Sequence, residues 1–410
     1  GVDMERLILI TLSVYCISLS IEAPIRYFLQ MIGLPYLIYI RDILMIIAVS
    51  LYVVKKASYK LLVIIGIIIL YSLISLYYTA NIVEVAWGIK TIFPFVFGIC
   101  CCKICFKNRE YITKIFMIIF IMSCLGMMLN YFIEEPFWQD INGAEVMGVT
   151  TEGVRNWDIY VDGEKVSRLS GFTRLAGTTA LIIIYSLVWL LNFYKYKILL
   201  LAVSFPMVLL TTSKVNIGMF LYIIVIMIMR YFANENKYIF SLKISIIMFA
   251  FIGIVLPIVS IIMKNYVSVL DSDMLLLIFA STEDRMLNSW PGTLNLVWDY
   301  GNVFLGRGIG GVGYGVSLFD VIVTNLTPID NFYVFIYGNM GLLGIAFVLL
   351  LILSAIKLNK TLINEFLLLM LMLFAGESIM SDMADQFSMI IIGIITGRLL
   401  LYELYDDIEV

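Results

Sequence analysis

LLVIIGIIILYSLISLYY occupies residues 61–78 and contains no charged side chain. Its apolar residues follow neither the period of two of a half-buried strand nor the single stripe of a surface helix; they run all the way round. Eighteen residues at ~1.5 Å rise make a rod of about 27 Å, close to the hydrocarbon thickness of a bilayer. The stretch reads as a membrane-crossing helix, and others like it recur along nearly the whole chain. Of 410 residues, 62% are hydrophobic and 14% charged, with a mean hydropathy of +1.01. A soluble domain is nearer ~45–50% apolar and ~25% charged, so an ordinary soluble enzyme is excluded. Outer-membrane barrels read as short alternating segments, which are missing here. A net charge of -3 gives no basic field for a phosphate backbone, which excludes a nucleic-acid binder. There is no histidine, so the usual general base and Ser-His or Cys-His machinery are excluded too.

The expected fold class is an all-α polytopic membrane protein with about 12 transmembrane helices, forming a single membrane-embedded domain over 4–410. The spans read as 6–21, 34–54, 60–78, 84–102, 111–133, 174–193, 197–212, 214–232, 241–263, 330–356, 361–380 and 384–403, with 22–33 as a re-entrant or surface helix. No small-x-small cleavage site follows the apolar run from Arg6 to Leu19 before Pro24, so the first helix is expected to stay. Fifteen lysines and arginines fall in the short connectors of one face, among them Lys55, Lys56, Lys60, Lys103, Lys107, Arg109 and Lys114. The opposite short connectors hold only Lys214. The positive-inside rule therefore puts both termini in the cytoplasm and two long loops, about 134–173 and 264–329, outside. Six cysteines include Cys102-Lys-Ile-Cys105, but no second ligand pair or histidine exists to complete a metal or redox site, and they read as small apolar residues.

The long loops carry the candidate chemistry. Arg168-Leu-Ser-Gly171-Phe-Thr-Arg174 closes the first loop and enters a helix at Gly177; it is either an anion-binding element or a charged anchor at a helix entry. Asp284-Arg285-Met-Leu-Asn-Ser-Trp290 precedes the run Gly306-Arg307-Gly308-Ile-Gly310-Gly311-Val-Gly313, which is either a nest of backbone donors or a plain flexible loop. Asp330, Tyr333 and Tyr337 fall on one helical face at a membrane mouth, where Asp330 is either functional or an N-cap. Arg41-Asp42, Glu84, Lys90 and Glu377 are intramembrane charges, and Arg41 with Asp42 is either a structural pair or part of a transport path. Asp271-Ser-Asp273 reads as an acidic loop rather than a metal element. Trp138, Trp157, Trp290 and Trp298 lie in the long loops, where aromatics stack on sugars or anchor at the interface.

Taken in order, these pieces resemble the bacterial O-antigen polymerase and O-antigen ligase superfamily (the Wzy and WaaL class). The resemblance covers roughly the C-terminal two-thirds. It rests on Arg168-x-x-Gly171, on Leu-Thr-Thr-Ser213-Lys214, on Arg285-x4-Trp290, on Gly306-x-Gly308-x-Gly310, and on Asp330-Asn331-Phe-Tyr333 followed by Gly341 and Gly344. Ligases of this group carry a histidine in the last element; Asp330 stands there, which is similar to the polymerase branch. The resemblance implies a GT-C type glycosyltransferase of the bacterial inner membrane that joins undecaprenyl-pyrophosphate-linked repeat units on the periplasmic face. It implies Arg168 and Arg285 as a pyrophosphate clamp, with Arg174, Arg307, Lys214 and the backbone of Gly308 and Gly310 assisting. Asp330 is then the catalytic base, while Tyr333, Tyr337 and Trp290 bind substrate. No metal or other cofactor is implied. A chain-length regulator is an implied partner beside the lipid-linked substrate and the bilayer. The alternatives are an O-antigen ligase acting on lipid A core, a lipid-linked oligosaccharide flippase or other transporter, and a non-catalytic scaffold.

Overall fold

The structure, a computed structural model, describes residues 4–143, 145–146, 149–150, 153–154, 158–161, 164–263, 281–319 and 329–402. Trp157, Lys264, Asp271, Asp273 and Asp320 lie outside them. Nearly everything described is helical, and each of the twelve apolar segments holds a helix. In chain order these are α1 (Met4–Ser20), α2 (Glu22–Met31), α3 (Ile40–Lys56), α4 (Tyr59–Thr79), α5 (Ile82–Lys107), α6 (Arg109–Phe132), α7 (Ala176–Phe193), α8 (Lys197–Leu210), α9 (Lys214–Phe232) and α10 (Glu235–Met263). After these come α11 (Trp290–Tyr300), the short α12 (Tyr314–Phe319), α13 (Phe332–Ile356), α14 (Leu362–Glu377) and α15 (Gln386–Thr396). Among the described residues, eight helices are long and apolar enough to cross a membrane, or nine if the bent pair α1 and α2 counts as one span. That pair turns by 85° at Ile21, so 22–33 leaves the axis of α1 as its composition suggested. The first long loop carries two small antiparallel hairpins, Glu145–Val146 with Val149–Thr150 and Asp158–Val161 with Glu164–Ser167.

The helices sort into a buried core and a rim. Every residue from Thr179 to Leu191 in α7, from Asn364 to Glu377 in α14 and from Phe387 to Thr396 in α15 is buried. By contrast α4 buries only Leu61, Tyr71, Ser72 and Ser75. Leu62, Ile69, Leu70, Leu73 and Leu76 are exposed, as lipid-facing side chains are. α5 and α15 meet backbone to backbone: a Cβ on Gly98 would stand 2.2 Å from the Ile390 carbonyl oxygen, and one on Gly393 would stand 2.2 Å from that of Phe95. Small residues permit this approach, and dispersion over the contact holds the pair. All six cysteines are buried and free.

The glycine run departs from its expected place. Residues 306–312 are buried and threaded between α4, α5 and α13 instead of lying in an open outer loop. The Arg307 N–H donates to the Gly338 carbonyl at 2.7 Å, Ile309 N–H to the Tyr71 carbonyl at 3.0 Å, and Gly310 N–H to Asn339 Oδ1 at 2.9 Å. These donors are therefore committed to the bundle, and Gly308 and Gly310 are packing residues, not a nest for a ligand. α13 breaks at Gly341 (φ 58°), where the Phe304 carbonyl accepts from Leu342 N–H at 2.9 Å, so the helix opens to admit the segment. Gly308 (φ 86°) lies so close to α4 that a Cβ would meet Ser75 N at 2.2 Å. Gly308→Ala is expected to cost roughly 2–3 kcal/mol or more through overpacking and left-handed strain. Gly177→Ala, with nothing within 4 Å of its Cβ, should be close to neutral. Thermal melting of the two variants in detergent checks the contrast, and equal melting points would contradict this packing.

Candidate functional site

Arg285 opens a single π-helical turn, Arg285–Ser289, that runs into α11. Such turns are rare and concentrate at functional sites. This one aims two side chains at one neighbouring segment. Arg285 Nη2 and Nε donate to Asp330 Oδ2 at 2.9 and 3.2 Å, and Trp290 Nε1 donates to the Ile329 carbonyl at 2.8 Å. The five-residue spacing of Arg285 and Trp290 thus serves to grip adjacent residues, 329 and 330. Trp290 is fully buried, so it is a structural peg and offers no open face to a sugar.

Asp330 is not the N-cap of α13. Asn331 takes that role, its Oδ1 accepting from Val334 N–H at 2.9 Å, while its Nδ2 donates to the Gly253 and Ile379 carbonyls at 3.1 Å. Asp330 is left at the mouth in a left-handed conformation (φ 46°), with a quarter of its side chain exposed. A non-glycine residue held there stores strain that its surroundings must hold.

Arg168 arrives from the first long loop. Gly171 (φ 60°) turns tightly over α6, its N–H donating to Asn130 Oδ1 at 3.1 Å and its carbonyl accepting from Trp138 Nε1 at 2.9 Å. Three residues earlier, Arg168 Nε donates to the Thr211 carbonyl at 3.3 Å, at the corner between α8 and α9. That corner carries Thr212, also left-handed (φ 50°), whose hydroxyl oxygen is buried without a hydrogen-bond partner among the described residues. Lys214 begins α9 just beyond, within electrostatic range of Arg285 and Arg168. Burial first and the Arg285 charge second lower the pKa of Arg168, and Asp330 opposes them; arginine stays protonated through such shifts. Four of the residues singled out in the sequence, Arg168, Lys214, Arg285 and Asp330, therefore share one mouth. Three fixed cations converge there, a field suited to a multiply charged anion.

The remaining sequence candidates go elsewhere. Tyr333 is buried in the core, donating to the Ala375 carbonyl at 3.1 Å, and does not line the mouth. Tyr337 donates to the Val303 carbonyl at 2.9 Å and accepts from Trp298 Nε1 at 3.2 Å, tying α13 to α11 and the loop after it. Arg307 is buried and donates to the Gly311 carbonyl at 2.9 Å, turned back on its own loop. Arg174 turns to Glu22, its Nε 3.3 Å from Oε1. Arg41 also reaches Glu22, at 3.3 Å, while Asp42 accepts from the Tyr15 hydroxyl at 3.0 Å, so the ion pair that Arg41 forms is with Glu22.

Asp382 was not singled out from the sequence. It lies in the short connector between α14 and α15 and belongs to the mouth through its charge coupling to Asp330. The signal was present: a short connector carrying Asp382 and Asp385 beside an apolar helix. No group of three or more Cys, Asp or Glu among the described residues is arranged to hold a metal ion. No family model, no curated protein and no solved structure matches the chain.

Loss of solvation, then the charges of Asp330 and Asp385, push the Asp382 carboxyl up to about 7. Its side chain is exposed, so solvent screening softens the effect. A raised carboxyl pKa favours the folded state at low pH, and that contribution is lost as pH rises from the unfolded value of about 3.9 through about 7. Asp382→Asn should therefore remove part of the decline in melting temperature between about pH 5 and pH 8. Identical pH profiles for parent and variant would remove Asp382 from the charged mouth.

Proposed function

We propose that the protein is a surface-polysaccharide polymerase of the O-antigen type, a GT-C membrane glycosyltransferase that joins undecaprenyl-pyrophosphate-linked repeat units. The observation that carries this reading is the convergence of Arg168, Arg285 and Lys214 around Asp330. These residues come from two long loops and a helix corner, at a mouth flanked by membrane helices. On this reading the chain crosses the bilayer twelve times, with both termini cytoplasmic and the mouth facing the periplasm.

The reaction asks little of the protein beyond charge and position. A hydroxyl of the acceptor's terminal sugar attacks the anomeric carbon of the donor glycan, and the bond from that carbon to the pyrophosphate oxygen breaks. The electron pair leaves on the pyrophosphate, so cations placed where that charge develops lower the barrier. Arg168 and Arg285 supply planar donors for two phosphate oxygens, and Lys214 a point charge. Thr212 offers a further hydroxyl. Both Arg285 bonds end on one oxygen of Asp330, so pyrophosphate competes with Asp330 for Arg285. Binding the donor would draw Arg285 away and leave Asp330 to accept the acceptor hydroxyl's proton.

The purified protein, supplied only with a lipid-pyrophosphate-linked repeat unit, should make polymer. Arg168→Ala and Arg285→Ala should each lower the rate about 100-fold or more, with the protein still folded and membrane-inserted. Asp330→Asn should abolish turnover while donor binding persists. Product appearing only with lipid A core would make the protein a ligase instead. Translocation of the sugar-lipid without a new linkage would make it a flippase.

A further inference from the structure

A group of unsatisfied polar atoms lies in the core where α14 gives way to α15. Glu377 ends α14 and is fully buried. Its Oε2 accepts from Ser381 Oγ at 3.1 Å, while Oε1 is buried without a hydrogen-bond partner among the described residues. Tyr185, midway along α7, is fully buried as well, and its hydroxyl is likewise unpartnered. Both Glu377 and Asp385 are electrostatic neighbours of that hydroxyl, so it faces the end of one helix and the start of the next. The Tyr185 ring packs edge-on to Phe387 of α15, with 6.1 Å between centres. Ser378 and Ser388 are fully buried with unpartnered hydroxyls, and Asp385 Oδ2 is a further buried oxygen without a partner.

The two carboxylates are not equivalent. Asp385 caps α15, its Oδ1 accepting from the N–H groups of Phe387 and Ser388 at 3.0 Å. The positive end of the α15 dipole therefore offsets its charge. Glu377 has the opposite setting, at the negative end of α14. No lysine or arginine is among its electrostatic neighbours in the described residues. A bare carboxylate at such depth is strongly unfavourable, so the group lacks one positive charge. A proton on Glu377 would answer a single oxygen. A small hard cation answers several at once, because such ions take carboxylate and hydroxyl oxygens together. Two carboxylates, one of them already offset, are too few for a divalent ion, and enclosure by packed helices favours a small monovalent one.

We propose that Glu377, Tyr185, Ser378, Asp385 and Ser388 form a buried site for a sodium ion. The consequence reaches the mouth through the connector between α14 and α15. The Ser378 carbonyl accepts from Phe332 N–H at 2.9 Å and the Ile379 carbonyl from Asn331 Nδ2 at 3.1 Å. A cation that fixes Ser378 thus also fixes the residues next to Asp330. The site involves neither glycan nor pyrophosphate, so it stands whether or not the chain is a polymerase.

The test measures binding of radiolabelled sodium to the detergent-purified full chain by scintillation proximity, with choline chloride holding the ionic strength constant. Saturable binding is expected. Glu377→Gln keeps the shape and removes the charge, and should weaken binding about tenfold or more, the range for a lost charge-assisted contact. Tyr185→Phe, which removes one ligand oxygen, should weaken it as well. Absence of saturable binding in the parent protein overturns the proposal and leaves these oxygens to a proton or to buried water. Equal affinity in the parent and the folded Glu377→Gln protein also overturns it. If that variant does not fold, equal affinity in Tyr185→Phe overturns it. Displacement of sodium by an equal concentration of calcium would overturn the monovalent assignment; retention supports it.

Discussion

A charge set among apolar helices has no water to answer it and must meet its partner inside the protein. That constraint organises one end of this molecule. Arg285 answers Asp330, and Glu22 answers Arg26, Arg41 and Arg174. The residues come from segments far apart in the chain, so each ion pair also fixes how loops and helix starts sit against one another. The backbone obeys the same rule. The buried segment 306–312 survives between α4, α5 and α13 because its N–H groups find the carbonyls of Gly338 and Tyr71 and the side chain of Asn339.

The turn from Ser170 to Arg174 joins the two charged groups. Arg168 precedes it at the α8–α9 corner, and Arg174 follows it on Glu22. Between them Gly171 is held on both sides, by Asn130 and by Trp138, and Phe172 packs against Trp138 and Ala23. The Phe172 carbonyl also accepts from Ala23 N–H at 2.8 Å, one residue after Glu22. A shift of α2 would therefore be felt at Arg168 through a few packed residues rather than through a flexible loop. This gives the Glu22 ion pairs and the Arg285–Asp330 pair a physical connection.

The helices were legible because a bilayer demands long uncharged runs, and LLVIIGIIILYSLISLYY can be little else. Which helices form the core was not legible. α4 and α7 are both apolar all round, yet α4 is mostly outward-facing and α7 is enclosed, since lipid tails and leucine side chains are equivalent surroundings. At the site, Arg168, Lys214 and Arg285 stood out because cations are scarce outside the short basic connectors, and Asp330 because a carboxylate precedes a long apolar helix. The glycines at 306–313 misled because spacing says nothing about what a backbone approaches: a strand of glycine donors facing a ligand and one facing Ser75 and Glu84 have the same sequence. Trp290 and Tyr333 misled similarly, since a buried ring and a sugar platform share one residue type. Thr212 carries too little sequence context to be chosen without coordinates.

Backbone strain gives an independent marker of where function sits. Among the described residues, the left-handed positions that are not glycine are Ala80, Thr212 and Asp330. Ala80 ends α4, an ordinary place for such a residue. The other two flank the mouth, and for the β-branched Thr212 the conformation is costly. The neighbouring turn at Arg285–Ser289 is a second irregularity, within the element that grips Asp330. Packing for stability alone would relax such positions, yet Trp290, Asn331 and Arg285 all hold the 329–331 segment in place. Three anchors on three consecutive residues are more than a helix start requires. What they preserve is the position of one carboxylate among three cations, the arrangement that an incoming anion would have to disturb.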